Sequence, residues 1–169
     1  MKKLLIIGHA RHGKDTFAEF LRDLYGYTFE SSSLAASNIF IYDKLKYIYN
    51  YKTPEECFND RVNHRAEWYN LIVDFNRNDR SALAKEILKK SDIYVGMRDN
   101  DEIEECIKQG LFDLIIGVYN YRVPEEDKSS FNINLWEKSD IIIPNSQGVE
   151  DLKRRAYKID DLFFNSNDY

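Results

Sequence analysis

Four apolar residues, Leu4-Leu5-Ile6-Ile7, run directly into Gly8-His9-Ala10-Arg11-His12-Gly13-Lys14-Asp15-Thr16, and a helical pattern then starts with Phe17, Phe20, Leu21 and Leu24 and halts at Gly26. A short unbroken apolar run reads as a strand buried on both faces. Spacing of i, i+3, i+4, i+7 closed by glycine reads as an amphipathic helix with its C-terminal cap. The segment between them fits G-x-x-x-x-G-K, in which backbone N–H groups curl around phosphate oxygens and the helix N-terminus adds positive potential. Gly8 and Gly13 supply backbone freedom and close approach. Lys14 would bridge terminal phosphates and stabilise charge that develops during transfer. Arg11 and His12, inside the loop, are expected at or beside the phosphates, although His9 and His12 have no acid or metal partner nearby in sequence and so read otherwise as loop or surface histidines. The position after the lysine ordinarily carries Ser or Thr to hold Mg²⁺, and here it is Asp15. A carboxylate also suits a hard cation, directly or through water, with Thr16 as the alternative. The opposing reading is a glycine-rich turn that caps a helix and binds nothing.

Further apolar runs at Tyr27-Thr28-Phe29, Ile93-Tyr94-Val95, Leu114–Val118 and Ile141-Ile142-Ile143 alternate with helical patterns. A long helix is expected from Glu55 to Phe75, entered through Thr53-Pro54, with others over Ser81–Lys90, Asp101–Gln109 and Val149–Tyr157. The order βαβ…αβαβα predicts an α/β protein whose parallel sheet is covered on both faces. At 169 residues, with seven Gly and three Pro, the chain suits one domain rather than a linker-rich or disordered one. No apolar run approaches the roughly 20 residues of a membrane span, and Leu4–Ile7 is too short for a signal peptide. Cys57 and Cys106 are far apart and form neither a disulfide framework nor a zinc motif, which fits a reducing cytoplasm. Residues 165–169 are polar and expected to fray.

Gly13-Lys14-Asp15-Thr16, with its Asp variant, resembles the phosphate loop of bacteriophage deoxynucleoside monophosphate kinases. Three later segments extend the likeness: Ser33-Leu34-Ala35-Ala36, the stretch Ile93–Glu102 containing Arg98, and the stretch Ser139–Leu152 with its Asn145-Ser146-Gln147-Gly148 loop. The resemblance implies a P-loop NTPase-type three-layer sandwich over residues 1–169, with a mostly parallel five-stranded sheet and a small lid near residues 119–135. It implies ATP and Mg²⁺ as cofactors, small nucleotides as substrates, and the host cytoplasm as location if the chain is viral. It also puts Asn145 beside the donor nucleotide. One departure is Gly96, where the family tends to have an acid, so the second metal carboxylate is missing there and Asp99 is the available substitute.

An acceptor nucleotide needs cations for its phosphate and a flat surface for its base. On one long helix, Arg61, His64, Arg65 and Trp68 would share a face, so Arg61, Arg65 and Trp68 are the expected acceptor-binding set, with Asp43 lining the pocket. The alternative reading pairs the arginines with Glu56, Asp60 or Glu67 and puts Trp68 in the core. Arg98, at a strand's carboxyl end, is expected to contact phosphate. Arg122, in the lid candidate, would neutralise charge during transfer. The catalytic set is thus Lys14, Asp15, Arg98 and Arg122, with Asp15 as metal ligand.

Other acceptors remain open: dephospho-coenzyme A or a hydroxymethylated base in phage DNA, each needing a base such as Asp43 or Asp74. A non-catalytic nucleotide-binding regulator is a further alternative, and homodimerisation is left open. The net charge is −5, and residues 99–127 hold nine acids against Lys108 and Arg122. That balance disfavours nucleic acid as a partner and favours a small anion in a focused basic pocket.

Overall fold

A computed structural model describes residues 1–163. The expectation for residues 165–169 lies outside the described residues.

The strand β1 (Leu4–Ile7) is followed by α1 (Lys14–Tyr25), β2 (Phe29–Ser31), α2 (Ser32–Ala36), α3 (Tyr42–Tyr49), α4 (Pro54–Asp60), α5 (Arg65–Phe75), α6 (Ala82–Leu88) and β3 (Ile93–Val95). Then come α7 (Asn100–Lys108), β4 (Leu114–Tyr119), α8 (Leu135–Lys138), β5 (Ile141–Pro144) and α9 (Val149–Phe163). The strands make one parallel sheet in the order β2-β3-β1-β4-β5, with Leu4 opposite both Ile93 and Leu114.

Alternation along these strands divides the core into two layers. Leu5, Ile7, Tyr94 and Ile115 pack against the helices between β2 and β3, α7 and residues 131–135. Leu4, Ile6, Ile93, Val95, Leu114, Ile116 and Val118 pack against α1 and α9 through Phe17, Leu21, Leu152, Ala156 and Ile159. Every residue of β1 is fully buried, and each Leu or Ile so placed contributes about 1.5–3 kcal/mol. The central strand therefore holds the residues that follow it on a rigid base.

Two expectations are corrected, and one helical run was not foreseen. β2 begins at Phe29 rather than Tyr27: the Asp92 carboxylate takes both the Thr28 N–H and its hydroxyl, the Thr28 carbonyl accepts from Asp92 and Ile93, and Tyr27 packs into the core. The run from Ser32 to Tyr49 is helical, with a π-helical turn at Ser37–Ile41 between α2 and α3. The long helix from Glu55 to Phe75 is broken. Thr53 and Pro54 start α4 as expected, the Thr53 hydroxyl accepting from Glu56 N–H. Arg61–Asn63 then tightens to a 3₁₀ turn, and His64 leaves helical geometry at φ −129°, ψ 31°. At the break the Asp60 carboxylate receives Asn63 Nδ2, His64 and the Tyr51 hydroxyl, which ties the turn together through side chains.

Candidate functional site

Gly8 and Gly13 have φ of +156° and +100°. A Cβ on Gly8 would collide with the Val118 carbonyl oxygen, and one on Gly13 with Asn145 Nδ2. Glycine is thus required by backbone conformation and by close packing at both ends of the loop. Gly13 also occupies the cap position of α1, and no side chain there accepts from the first-turn amides. N–H groups left without a side-chain cap at a helix start suit an anion.

Lys14 is 6% exposed, and its ammonium donates to the His9 carbonyl at 2.9 Å. Burial first and Arg98 second lower its pKa to about 8, with Asp15 and Glu126 opposing the shift. A lysine desolvated in this way exerts a strong field on an anion that enters beside it. Asp15 is exposed on the first turn of α1, with Thr16 half-buried next to it. Among the described residues no three His, Cys, Asp or Glu side chains form a metal cluster. One carboxylate and one hydroxyl still suit Mg²⁺, which keeps several waters and takes phosphate oxygens as ligands. Asp99 does not supply the second carboxylate: it caps α7 through Glu102 N–H and accepts from Asn132 Nδ2.

The histidines act as buried supports of the loop rather than surface groups. His12 is fully buried; its Nδ1 accepts from Asn120 N–H at 3.1 Å, and its Nε2 faces the Val123 and Pro124 carbonyls without reaching hydrogen-bond geometry. His9 Nδ1 accepts from Glu126 N–H at 3.0 Å, and its ring lies 4.4 Å from that of Phe131. Burial lowers the pKa of both, so both stay neutral and can accept. Asn145 likewise holds the loop, its Nδ2 donating to the His12 carbonyl at 2.9 Å. Arg11 is exposed, in the left-handed region at φ 64°.

The structure brings Arg61 into electrostatic range of Arg65, Arg98 and Asp15. Burial lowers the pKa of Arg61, and its two arginine neighbours lower it further. Neither Arg61 nor Arg65 forms an ion pair with a described carboxylate; Asp60 and Glu67 serve His64, Tyr51 and Tyr49 instead. Arg61 donates to the Phe58 carbonyl and lies over the Phe58 ring. The expected set is not kept whole. Trp68 is 4% exposed and belongs to the core, so it presents no face to a base. Asp43 is exposed and paired with Lys46, while Asp74 is paired with Lys44 and Arg77. Arg122 is exposed, with its guanidinium over the Tyr121 ring, and is not brought to Lys14.

Two groups escaped the sequence reading. Glu126 comes from the segment after β4 and reaches the loop, its Oε2 accepting from Ala10 N–H at 2.7 Å and its Oε1 from Arg98 Nη1 at 2.6 Å. Tyr94 and Glu102 form a buried pair at 2.9 Å beneath the site. Neither leaves a spacing signal, since Glu126 is one of three consecutive acids and Tyr94 lies within an apolar run.

A central strand leading into a phosphate loop, with strand order β2-β3-β1-β4-β5 and helices on both faces, defines the fold of the P-loop kinases. Among solved structures, dephospho-CoA kinase from Campylobacter jejuni superposes with a TM-score of 0.53 at 16% identity, over 95% of this chain and 96% of that one. Shikimate kinase from Acinetobacter baumannii, in complex with shikimate, gives 0.52 at 13% identity over 94% and 90%. No family model matches the chain, and no curated protein matches it in sequence. Among the described residues no helix is long and apolar enough to cross a membrane.

Proposed function

We propose that the protein is a phosphotransferase that uses ATP and Mg²⁺ to convert a deoxynucleoside 5′-monophosphate into the diphosphate. The observation that carries this reading is the group of guanidiniums, Arg61, Arg65 and Arg98, beside Lys14 and Asp15. Arg98 is paired with Glu126, but Arg61 and Arg65 lie together without an ion pair to a described carboxylate, an arrangement that costs stability unless an anion joins them, and planar guanidiniums match phosphate oxygens.

In this reading the amides of the loop and Lys14 hold the donor's phosphates, and Arg61 and Arg65 hold the acceptor's. Arg98, near both Lys14 and Arg61, lies between donor and acceptor. Asp15, with Thr16, would hold Mg²⁺, which neutralises phosphate charge when bound. An acceptor phosphate is already ionised, so positioning and charge neutralisation are sufficient and no strong general base is needed.

The likeness to dephospho-CoA kinase favours a second reading, with a hydroxyl acceptor. Such an acceptor would call for a carboxylate base, and Asp43 and Asp74 are both engaged with surface cations. The phosphate acceptor is therefore preferred. The test is to incubate the protein with Mg²⁺ and γ-labelled ATP and offer natural and modified deoxynucleoside monophosphates, dephospho-coenzyme A and DNA separately. Label should appear in a deoxynucleoside diphosphate. If ATP binds and no monophosphate acquires label, this function is rejected.

A further inference from the structure

The chain between β4 and α8 is fastened across the phosphate loop. Asn120 N–H bonds to His12, Glu126 N–H to His9, and Asn132 N–H to the Arg98 carbonyl at 3.1 Å. Phe131 is buried against His9, and Asn132 Oδ1 accepts from Asn100 N–H. These attachments deliver one acidic side chain to one place. The Glu126 carboxylate is 13% exposed and spans Ala10 N–H and the Arg98 guanidinium, with Lys14 close enough to influence its charge.

A loop amide, a guanidinium and the loop lysine are the donors that a nucleotide phosphate would use. Ionised carboxylate and phosphate oxygens both only accept, and both take N–H donors in pairs. Burial alone would push the Glu126 carboxyl upward, but Arg98, the Ala10 amide and Lys14 outweigh it and hold the pKa below the usual range. The group is thus an anion at neutral pH. Two anions cannot share these donors, because the lost hydrogen bonds and the mutual repulsion both oppose it.

We propose that Glu126 is an internal competitor for the phosphate seat: its carboxylate occupies the place of a nucleotide phosphate, and nucleotide entry expels it, frees Arg98 and releases the 120–134 strap. The proposal rests on the reading that this loop binds the phosphates of a nucleotide. It makes Glu126 neither a metal ligand nor a base. The free protein closes its own cradle, so part of the ligand's affinity is spent on opening it, as for any site that is competent only part of the time.

The test needs no acceptor. Calorimetry with Mg²⁺-ATP and with inorganic tripolyphosphate is run on the wild type, Glu126→Gln and Glu126→Ala, and amide exchange of the wild type is followed with and without tripolyphosphate. Both variants should bind both ligands at least fivefold more tightly, and in the wild type protection at the Glu126 and Asn120 amides should fall when ligand is bound. Unchanged affinity in the variants overturns the competitor role while leaving the nucleotide-binding reading intact. Weaker affinity overturns it too and makes Glu126 part of the ligand's own site. Protection retained in the liganded wild type overturns it even if a variant fails to fold. Absence of polyphosphate binding in all three proteins overturns both this inference and the proposed function.

Discussion

Replacing Lys14 with methionine separates what this side chain does for a ligand from what it does to the fold. The ammonium is buried, with the His9 carbonyl as its hydrogen-bond partner, and its pKa is lowered from 10.5 to about 8. Below pH 8 the folded and unfolded chains both carry the charge, so the folded state bears the whole net cost of the shift, desolvation first and Arg98 second, less what Asp15 and Glu126 return. A gap of about 2.5 between the two pKa values, at ~1.4 kcal/mol for each unit, makes that cost ~3 kcal/mol. Between pH 8 and 10.5 the folded chain releases a proton that the unfolded chain keeps, and wild-type stability rises through that window. Methionine keeps an apolar stem and forfeits the bond to His9, worth about 1 kcal/mol. Lys14→Met should therefore be ~2 kcal/mol more stable than wild type at pH 7, an advantage lost by about pH 10.5. Turnover should fall by a factor of about 10²–10³ or more, as when one donor to a developing anion is removed. Urea unfolding at several pH values, beside the labelled-ATP assay, measures both. A stability difference that stays constant from pH 7 to 10.5 would refute burial as the origin of the shift, and normal turnover would refute the loop's role in catalysis.

Arg65→Gln should raise the KM for the acceptor about tenfold with little change in the KM for ATP, and move stability by less than about 0.5 kcal/mol, since Arg65 forms no ion pair with a described carboxylate. Equal losses toward both substrates, by steady-state kinetics, would remove Arg65 from the acceptor side. Glu102 is buried and its pKa is raised to about 8 by desolvation, with the Tyr94 hydrogen bond opposing and Asp99 adding. The folded chain keeps that proton where the unfolded chain has lost it, so stability falls between pH 4.5 and 8; Glu102→Gln, still able to accept from the Tyr94 hydroxyl, should abolish that decline. Denaturant midpoints that follow the wild-type pH course in the variant would count against it.

The fold was legible where one physical cause acted alone. Unbroken apolar runs became β1, β3, β4 and β5, whereas β2 carries Glu30 and Ser31 at the sheet edge, and α1 ended at Gly26 because its left-handed cap, φ 75°, favours glycine. The loop was legible for the same reason, since glycines, lysine and helix start lie within one short segment. Periodicity failed after Asp60, where the chain tightens to a 3₁₀ turn and leaves helical geometry at His64, which breaks the stripe from Arg61 to Trp68. It could not foresee Glu126, whose importance depends on a chain reversal that brings residue 126 to residue 10. The histidines were misread because nothing in local sequence shows that the strap covers them.

A chain with an excess of acid has nevertheless assembled a cationic cleft, and the two facts are connected. Lys14 is desolvated, and Arg65 and Arg98 both disfavour the charge on Arg61, so the group works against folding until an anion enters. Part of that opposition is relieved from within, by Glu126 of the acidic segment 99–127 pairing with Arg98. Arg61 and Arg65 gain no such partner, and their side of the cleft is left for an external anion. A ligand that binds the folded chain alone raises its stability by RT ln(1 + [L]/Kd), about 2.7 kcal/mol at a hundredfold excess over Kd. In the proposed reading the donor seat would be held shut by Glu126, a group the protein carries, while Arg61 and Arg65 would be left for the phosphate of the acceptor.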